Sequence, residues 1–106
     1  MSRKPKTLME VIYASTGSLR RSGRIFALVI CWAEALEQTG QQEINIEQYI
    51  AWAEPEWSRR TVERQLHDFR EAFPGLRTPQ PFAKRMLDHR ADAQAQMFAP
   101  DYAAVA

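Results

Sequence analysis

Between Ile25 and Leu36 the sequence IFALVICWAEAL contains one polar residue, Glu34. Its unbroken apolar part, Ile25 to Ala33, falls far short of the ~20 residues a membrane span needs. A helix that is apolar on every side is buried on every side. The chain is therefore expected to build its fold around this segment, a central post from about Arg24 to Gln38, with Ser22 available as its cap and Gly40 as its stop.

The 106 residues suit one domain with a modest core. The single cysteine, Cys31, cannot form an intramolecular disulfide, and two histidines are too few for a zinc cluster at finger-like spacing. Cys31 lies within the apolar run and reads as a small core hydrophobe. The N-terminal MSRKPKTLME has no apolar stretch after its basic residues, so neither a signal peptide nor a membrane location is expected, and a reducing cytoplasm fits the cysteine usage.

Four further helices are read around the post. Helix one spans about Lys6 to Ser15, with Pro5 in its first turn and Gly17 as its stop. The stretch STGSLRRSGR (15–24) reads as a flexible basic loop whose Arg20 and Arg21 could contact phosphate, although the Gly-x4-Gly-Lys-Ser/Thr spacing of a phosphate loop is absent. Helix three spans Ile46 to Glu54, capped by Asn45 with Gln48 completing a capping box and Ile44 and Tyr49 at the staple positions; EIN (43–45) is short enough for only a minimal strand. Helix four spans Arg59 to Phe73, with Ser58 as cap, Trp57 and Val62 at the staple positions, and Pro74-Gly75 as its end. PGLRTPQP is too proline-rich for a good hairpin and leaves room for no more than a minimal wing. Helix five spans about Gln80 to Met97. The expected organisation is one all-α, five-helix domain over 1–98 and a frayed tail over 99–106.

The net charge of +1 hides a segregation. Residues 1–24 carry Arg3, Lys4, Lys6, Arg20, Arg21 and Arg24 against Glu10 alone. Residues 25–56 carry glutamates 34, 37, 43, 47, 54 and 56 and no Lys or Arg. Residues 57–90 are basic again, with seven arginines and Lys84. Two basic blocks that meet in space would form a positive surface that the total conceals.

On a helical wheel Val62, Leu66, Phe69 and Phe73 share the core face of helix four, and Arg60, Arg64 and His67 lie opposite, with Glu63 beside them. Arginines 59 and 60 sit at the helix end that already carries roughly half a positive charge, where stability alone favours Asp or Glu. An arriving polyanion would remove the conflict: helix N-termini donate N–H groups to phosphate, and arginine reads guanine edges in the major groove. The competing explanation is pairing with Glu54 or Glu56 just upstream.

Over residues 46–73 the chain resembles the helix-turn-helix family of DNA-binding proteins. Ala51 stands where the family has a small residue in its first helix. Trp57 closes the turn, and SRRTVERQL (58–66) matches the capping Ser followed by x-x-Thr-Val-x-Arg-x-Leu. The resemblance implies that Arg59, Arg60, Thr61, Arg64 and His67 face the groove, with Ser58 and Thr61 as phosphate donors. The sequence departs from the family in the turn, where EPE (54–56) replaces the usual glycine and adds one residue.

The expected DNA-binding set is thus Ser58, Arg59, Arg60, Thr61, Glu63, Arg64 and His67, with Arg20 and Arg21. The expected function is sequence-specific binding of double-stranded DNA by a small transcriptional regulator that acts by occupying its site, as a homodimer on a two-fold sequence, with no cofactor. A DNA-binding part of a replication or recombination machine fits the same residues. The alternative is a small helical adaptor or inhibitor that binds protein and not DNA, for which the acidic block 25–56 is the best support. Tryptophans 32, 52 and 57 read as core residues rather than base-stacking platforms. No carboxylate pair, His-x3-His or Ser-His-Asp set suggests an enzyme.

Overall fold

The computed structural model describes residues 7–91, which form five helices and no strand. They are α1 (Leu8–Thr16), α2 (Leu19–Thr39), α3 (Ile46–Ala53), α4 (Arg59–Ala72) and α5 (80–91, the last described residue). The expected continuation of α5 to Met97 and the tail 99–106 lie outside the described residues. Residues 43–45 are not a strand, and residues 74–79 form turns and bends.

The largest correction concerns residues 15–24, expected as a flexible loop. Only Gly17 and Ser18 separate α1 from α2. Gly17 takes the left-handed conformation (φ 68°) and its N–H closes α1 on the Tyr13 carbonyl at 2.8 Å. Ser18, not Ser22, caps α2, its hydroxyl accepting from the Arg21 N–H at 3.3 Å. Ser22 is fully buried inside the helix; its hydroxyl donates to the Ser18 carbonyl at 2.6 Å and meets the Thr16 hydroxyl at 2.6 Å. A serine that satisfies itself one turn back no longer breaks a helix. Arg20, Arg21 and Arg24 therefore ride on the first two turns of a rigid element.

The central post holds with one amendment. α2 packs against α1, α3 and α4 and buries Ile25, Leu28, Val29, Trp32, Ala33, Ala35 and Leu36. It is not covered all round, since Ile30 stays 38 % exposed and Phe26, Ala27 and Cys31 are half-buried. Trp32 is the anchor. It stacks on Tyr49 of α3 with ring centroids 4.6 Å apart, and its indole N–H donates to Gln80 at 2.8 Å. Gln80 in turn donates to the Gln42 carbonyl at 2.7 Å, fixing the start of α5 against the α2–α3 connection. Phe82 of α5 meets Phe69 of α4 and Phe73, the residue that caps its end, edge-on. Trp32 is thus a core residue, whereas Trp52 and Trp57 are only half-buried.

The caps of α3 and α4 are as expected. Asn45 and Gln48 exchange side-chain-to-backbone bonds, each 2.8 Å, and Ser58 accepts from the Thr61 N–H at 3.2 Å. Ala53 closes the α3–α4 turn by accepting from both the Glu56 and Trp57 N–H groups. α4 buries Val62, Leu66 and Phe69 and also, against expectation, Gln65 and Asp68.

Two glycines give opposite expectations. Gly17→Ala forces a side chain into the left-handed region, at a cost of roughly 1 kcal/mol or more. Gly23 lies inside α2 without a left-handed φ, and an added Cβ would meet nothing within 4 Å, so Gly23→Ala should stabilise by about 0.5–1 kcal/mol. Urea denaturation of the two variants checks both signs.

Candidate nucleic-acid interface

α2 and α4 run antiparallel, Arg21 reaching Glu71 and Arg24 reaching Asp68, and a hollow of about 490 Å³ opens between them. Residues one turn apart on each helix line it. α2 contributes Leu19, Arg20, Gly23, Arg24 and Ala27; α4 contributes Arg60, Thr61, Arg64 and Gln65, with Trp57 before it. Once α2 starts at Leu19, the spacing 20-23-24-27 is a helical stripe, matched by 60-61-64-65 across the gap.

The four arginines differ in their surroundings. Arg24 is tied down: its Nε donates to Asp68 at 2.6 Å, and the Asp68 carboxylate is almost fully buried. Among the described residues, Arg20, Arg60 and Arg64 have no carboxylate within 4.0 Å. All three are exposed. Three arginines without a carboxylate partner and one that is neutralised and held are thus spread along the hollow.

The structure divides the sequence-predicted set. Arg60, Thr61 and Arg64 of α4 and Arg20 of α2 come together in this hollow. Arg59 turns the other way, to α3, where both its terminal nitrogens bind the Glu47 carboxylate at 3.1 and 2.7 Å. That guanidinium holds the Glu47 carboxyl below the usual carboxylate range. The carboxylate partner of this arginine is thus Glu47, not Glu54 or Glu56. Glu63 lies on the same α3-facing side as Arg59. His67 pairs with Glu71 at 3.1 Å, and Arg21 reaches the same carboxylate at 3.5 Å. The Ser58 and Thr61 hydroxyls lie 3.0 Å from each other.

Leu19, Arg24, Trp57, Gln65 and Asp68 were missing from the predicted set. Gln65 is 3 % exposed, and its Oε1 is buried without a hydrogen-bond donor. An orphan acceptor of that kind costs about 1–3 kcal/mol. The polar positions 65 and 68, beside the 62-66-69 core stripe, were the available signal for an α2-facing polar seam.

Trp57 separates this hollow from a second, of about 260 Å³, lined by Cys31, Glu34, Gln38, Trp52, Ala53, Pro55, Glu56 and Trp57 itself. Neither turn glutamate, Glu54 or Glu56, lines the arginine hollow. Burial, reinforced by Glu34, pushes the Cys31 thiol above its ordinary value, and burial does the same to the Tyr49 hydroxyl. Cys31 therefore stays protonated and unreactive at neutral pH.

Among the described residues, no group of three or more His, Cys, Asp or Glu side chains is placed to hold a metal ion, and no helix is long and apolar enough to cross a membrane. Comparison of the chain with family models, curated proteins and solved structures finds no match.

Two outcomes follow from this geometry. Arg24→Met strands the buried Asp68 carboxylate and should destabilise the fold by roughly 3 kcal/mol, the scale of a broken buried pair; thermal melts measure it. Cys31 should react slowly with a disulfide reagent at pH 7, and its rate should climb only above the pH at which a free cysteine ionises.

Proposed function

We propose that this protein binds double-stranded DNA sequence-specifically, with α3 and α4 as a helix-turn-helix unit and α4 entering the major groove. The observation that carries the reading is that Arg20, Arg60 and Arg64 line one groove without carboxylate partners among the described residues. Arg20 and Arg60 each stand in the first turn of a helix, where the dipole already disfavours a cation. A polyanion relieves the conflict through charge-assisted hydrogen bonds. Arg60 and Arg64, one turn apart on α4, are placed for guanine edges or phosphates. Arg20 on α2 adds a contact from a second helix, which fixes orientation on the backbone. Arg59, Arg21 and His67 are secondary, because Glu47 or Glu71 already pairs with them.

A protein of this kind acts as a transcriptional regulator by occupying its site. One recognition helix reads only a few base pairs, so a homodimer on a two-fold sequence is the expected assembly. A second reading, a protein-binding adaptor without DNA contact, draws on the other hollow, where Glu34 and Glu56 stand beside Trp52 and Trp57 and suit a cationic side chain.

Three measurements separate the readings. Arg60→Ala and Arg64→Ala should each weaken duplex binding by about 1–3 kcal/mol for base-edge contacts while leaving the melting temperature nearly unchanged. Affinity should fall steeply between low and moderate salt. Glu47→Gln releases Arg59 and removes a negative charge, so it should strengthen duplex binding. A flat salt response, or no retardation of random and genomic fragments, would favour the adaptor.

A further inference from the structure

The hollow on the α3 side of Trp57 has a chemistry opposite to that of the arginine groove. It encloses about 260 Å³, and Cys31, Glu34, Gln38, Trp52 and Glu56 line it with Trp57. A relay of hydrogen bonds holds one wall. The Trp52 indole N–H donates to Gln38 Oε1 at 3.0 Å, and Gln38 Nε2 donates to Glu34 Oε1 at 3.4 Å. Burial, then Glu34 and more weakly Glu56 push the Cys31 thiol up, so both carboxylates act on the same wall. Among the described residues neither Glu34 nor Glu56 has a Lys, Arg or His nitrogen within 4.0 Å.

Two unpaired carboxylates beside two half-buried indoles suit a flat cation with several N–H donors. Guanidinium is planar and weakly hydrated, stacks on indole and donates to carboxylates. An ammonium is compact and strongly hydrated, and gains less from such walls. The volume lies below the ~300–1,000 Å³ of small-ligand sites, which leaves room for one side chain whose backbone stays outside. The surroundings repel phosphate and attract a basic segment. Residues 25–56 carry six glutamates and no Lys or Arg. Among the described residues only Glu37 and Glu47 of the six are ion-paired.

We propose that this hollow receives one arginine side chain from a basic segment of a partner protein, its guanidinium beside Trp52 and Trp57 and its N–H groups on Glu34 and Glu56. The proposal names the ligand of the hollow on which the protein-binding reading draws. It also stands without the DNA-binding reading, because Trp57 is the one residue that lines both hollows.

The test titrates the whole chain with capped Gly-Arg-Gly and with the same tripeptide carrying lysine or citrulline, the neutral analogue of arginine. Free L-arginine, whose own carboxylate faces the glutamates, forms a fourth arm. Nitrogen–proton spectra resolve the indole N–H groups. The signals of Trp52 and Trp57 should shift saturably with the arginine tripeptide, while that of the fully buried Trp32 stays in place. Lysine should bind severalfold more weakly, and citrulline should give no saturable shift. Glu34→Gln and Glu56→Gln should each weaken arginine binding severalfold with the melting temperature nearly unchanged. Glu43→Gln, which removes the same charge outside the hollow, should leave binding as it was, as should Arg60→Ala.

The proposal is overturned if citrulline matches arginine, if both Glu→Gln variants bind like the parent, or if no indole of the hollow responds. Lysine equal to arginine would keep a cation-binding hollow for the protein-binding reading and remove the arginine assignment. Free L-arginine binding more tightly than the tripeptide would replace the partner segment with a small molecule. Duplex retardation by the same preparation, measured alongside, reports on DNA binding separately from all of these.

Discussion

The Arg24–Asp68 ion pair, 2.6 Å long and nearly closed to water on the carboxylate side, joins the two helices whose neighbouring turns make the candidate interface. Apolar contacts between α2 and α4 would tolerate sliding, because Ile25, Leu28, Val62 and Leu66 are chemically alike. An ion pair with one defined partner is less permissive. Buried pairs of this kind add little net stability, since desolvation offsets attraction. What this one supplies is register: with Arg24 opposite Asp68 and Arg21 reaching Glu71, the helices run antiparallel, and Arg20 lines the same groove as Arg64 and Arg60 farther along it.

The charge pattern of α4 becomes intelligible from that register. The sequence loads its first two turns with arginine, and the fold sorts them by direction. The α3 side is neutralised by Glu47 on Arg59, and the Glu71 side gathers His67 and Arg21. The α2 side keeps its cations free of carboxylates among the described residues. Trp57 then separates a cationic hollow from one carrying Glu34 and Glu56. The acidic block of the sequence is thus partly spent on ion pairs, Glu47 with Arg59 and Glu37 with Arg90, and partly set on the far side of an indole.

Much of the architecture was legible because local chemistry and tertiary packing agreed. Asn45 with Gln48, Ser58, Gly17 and Gly40 each sit where their side chains or left-handed backbones end or begin a helix. The start of α2 was misread because Ser22 and Gly23 look like breakers, and only the bonds from Ser22 to Ser18 and Thr16, inside the packed α1–α2 corner, show otherwise. That error hid half of the candidate site, since an arginine in a flexible loop has no fixed neighbour. The partner of Arg59 was also out of reach, because Glu47 is twelve residues away and only the approach of α3 to α4 selects it over Glu54 and Glu56. Gln65 and Asp68 could not be assigned either, since a wheel gives direction relative to the core but not which neighbouring helix fills it.

Three features around the hollow work against stability, and they are independent of one another. Gly23 weakens a helix interior although a methyl group would fit there without contact. Gln65 buries an acceptor that the protein does not satisfy, where a leucine of similar size would leave nothing unpaired. Arg20 and Arg60 stand in first turns that already carry partial positive charge, and neither they nor Arg64 have a carboxylate within 4.0 Å among the described residues. Elsewhere among the described residues the N-caps of α1 to α4 are filled, the core stripe of α4 is apolar, and Arg59, the other arginine of α4's first two turns, finds a carboxylate. Departures from those rules that fall together at one place in a fold are characteristic of sites selected for binding rather than for folding. Guanidinium groups without carboxylates ask for an anion, whereas the Gln65 acceptor is closed to solvent and its cost falls on the fold alone.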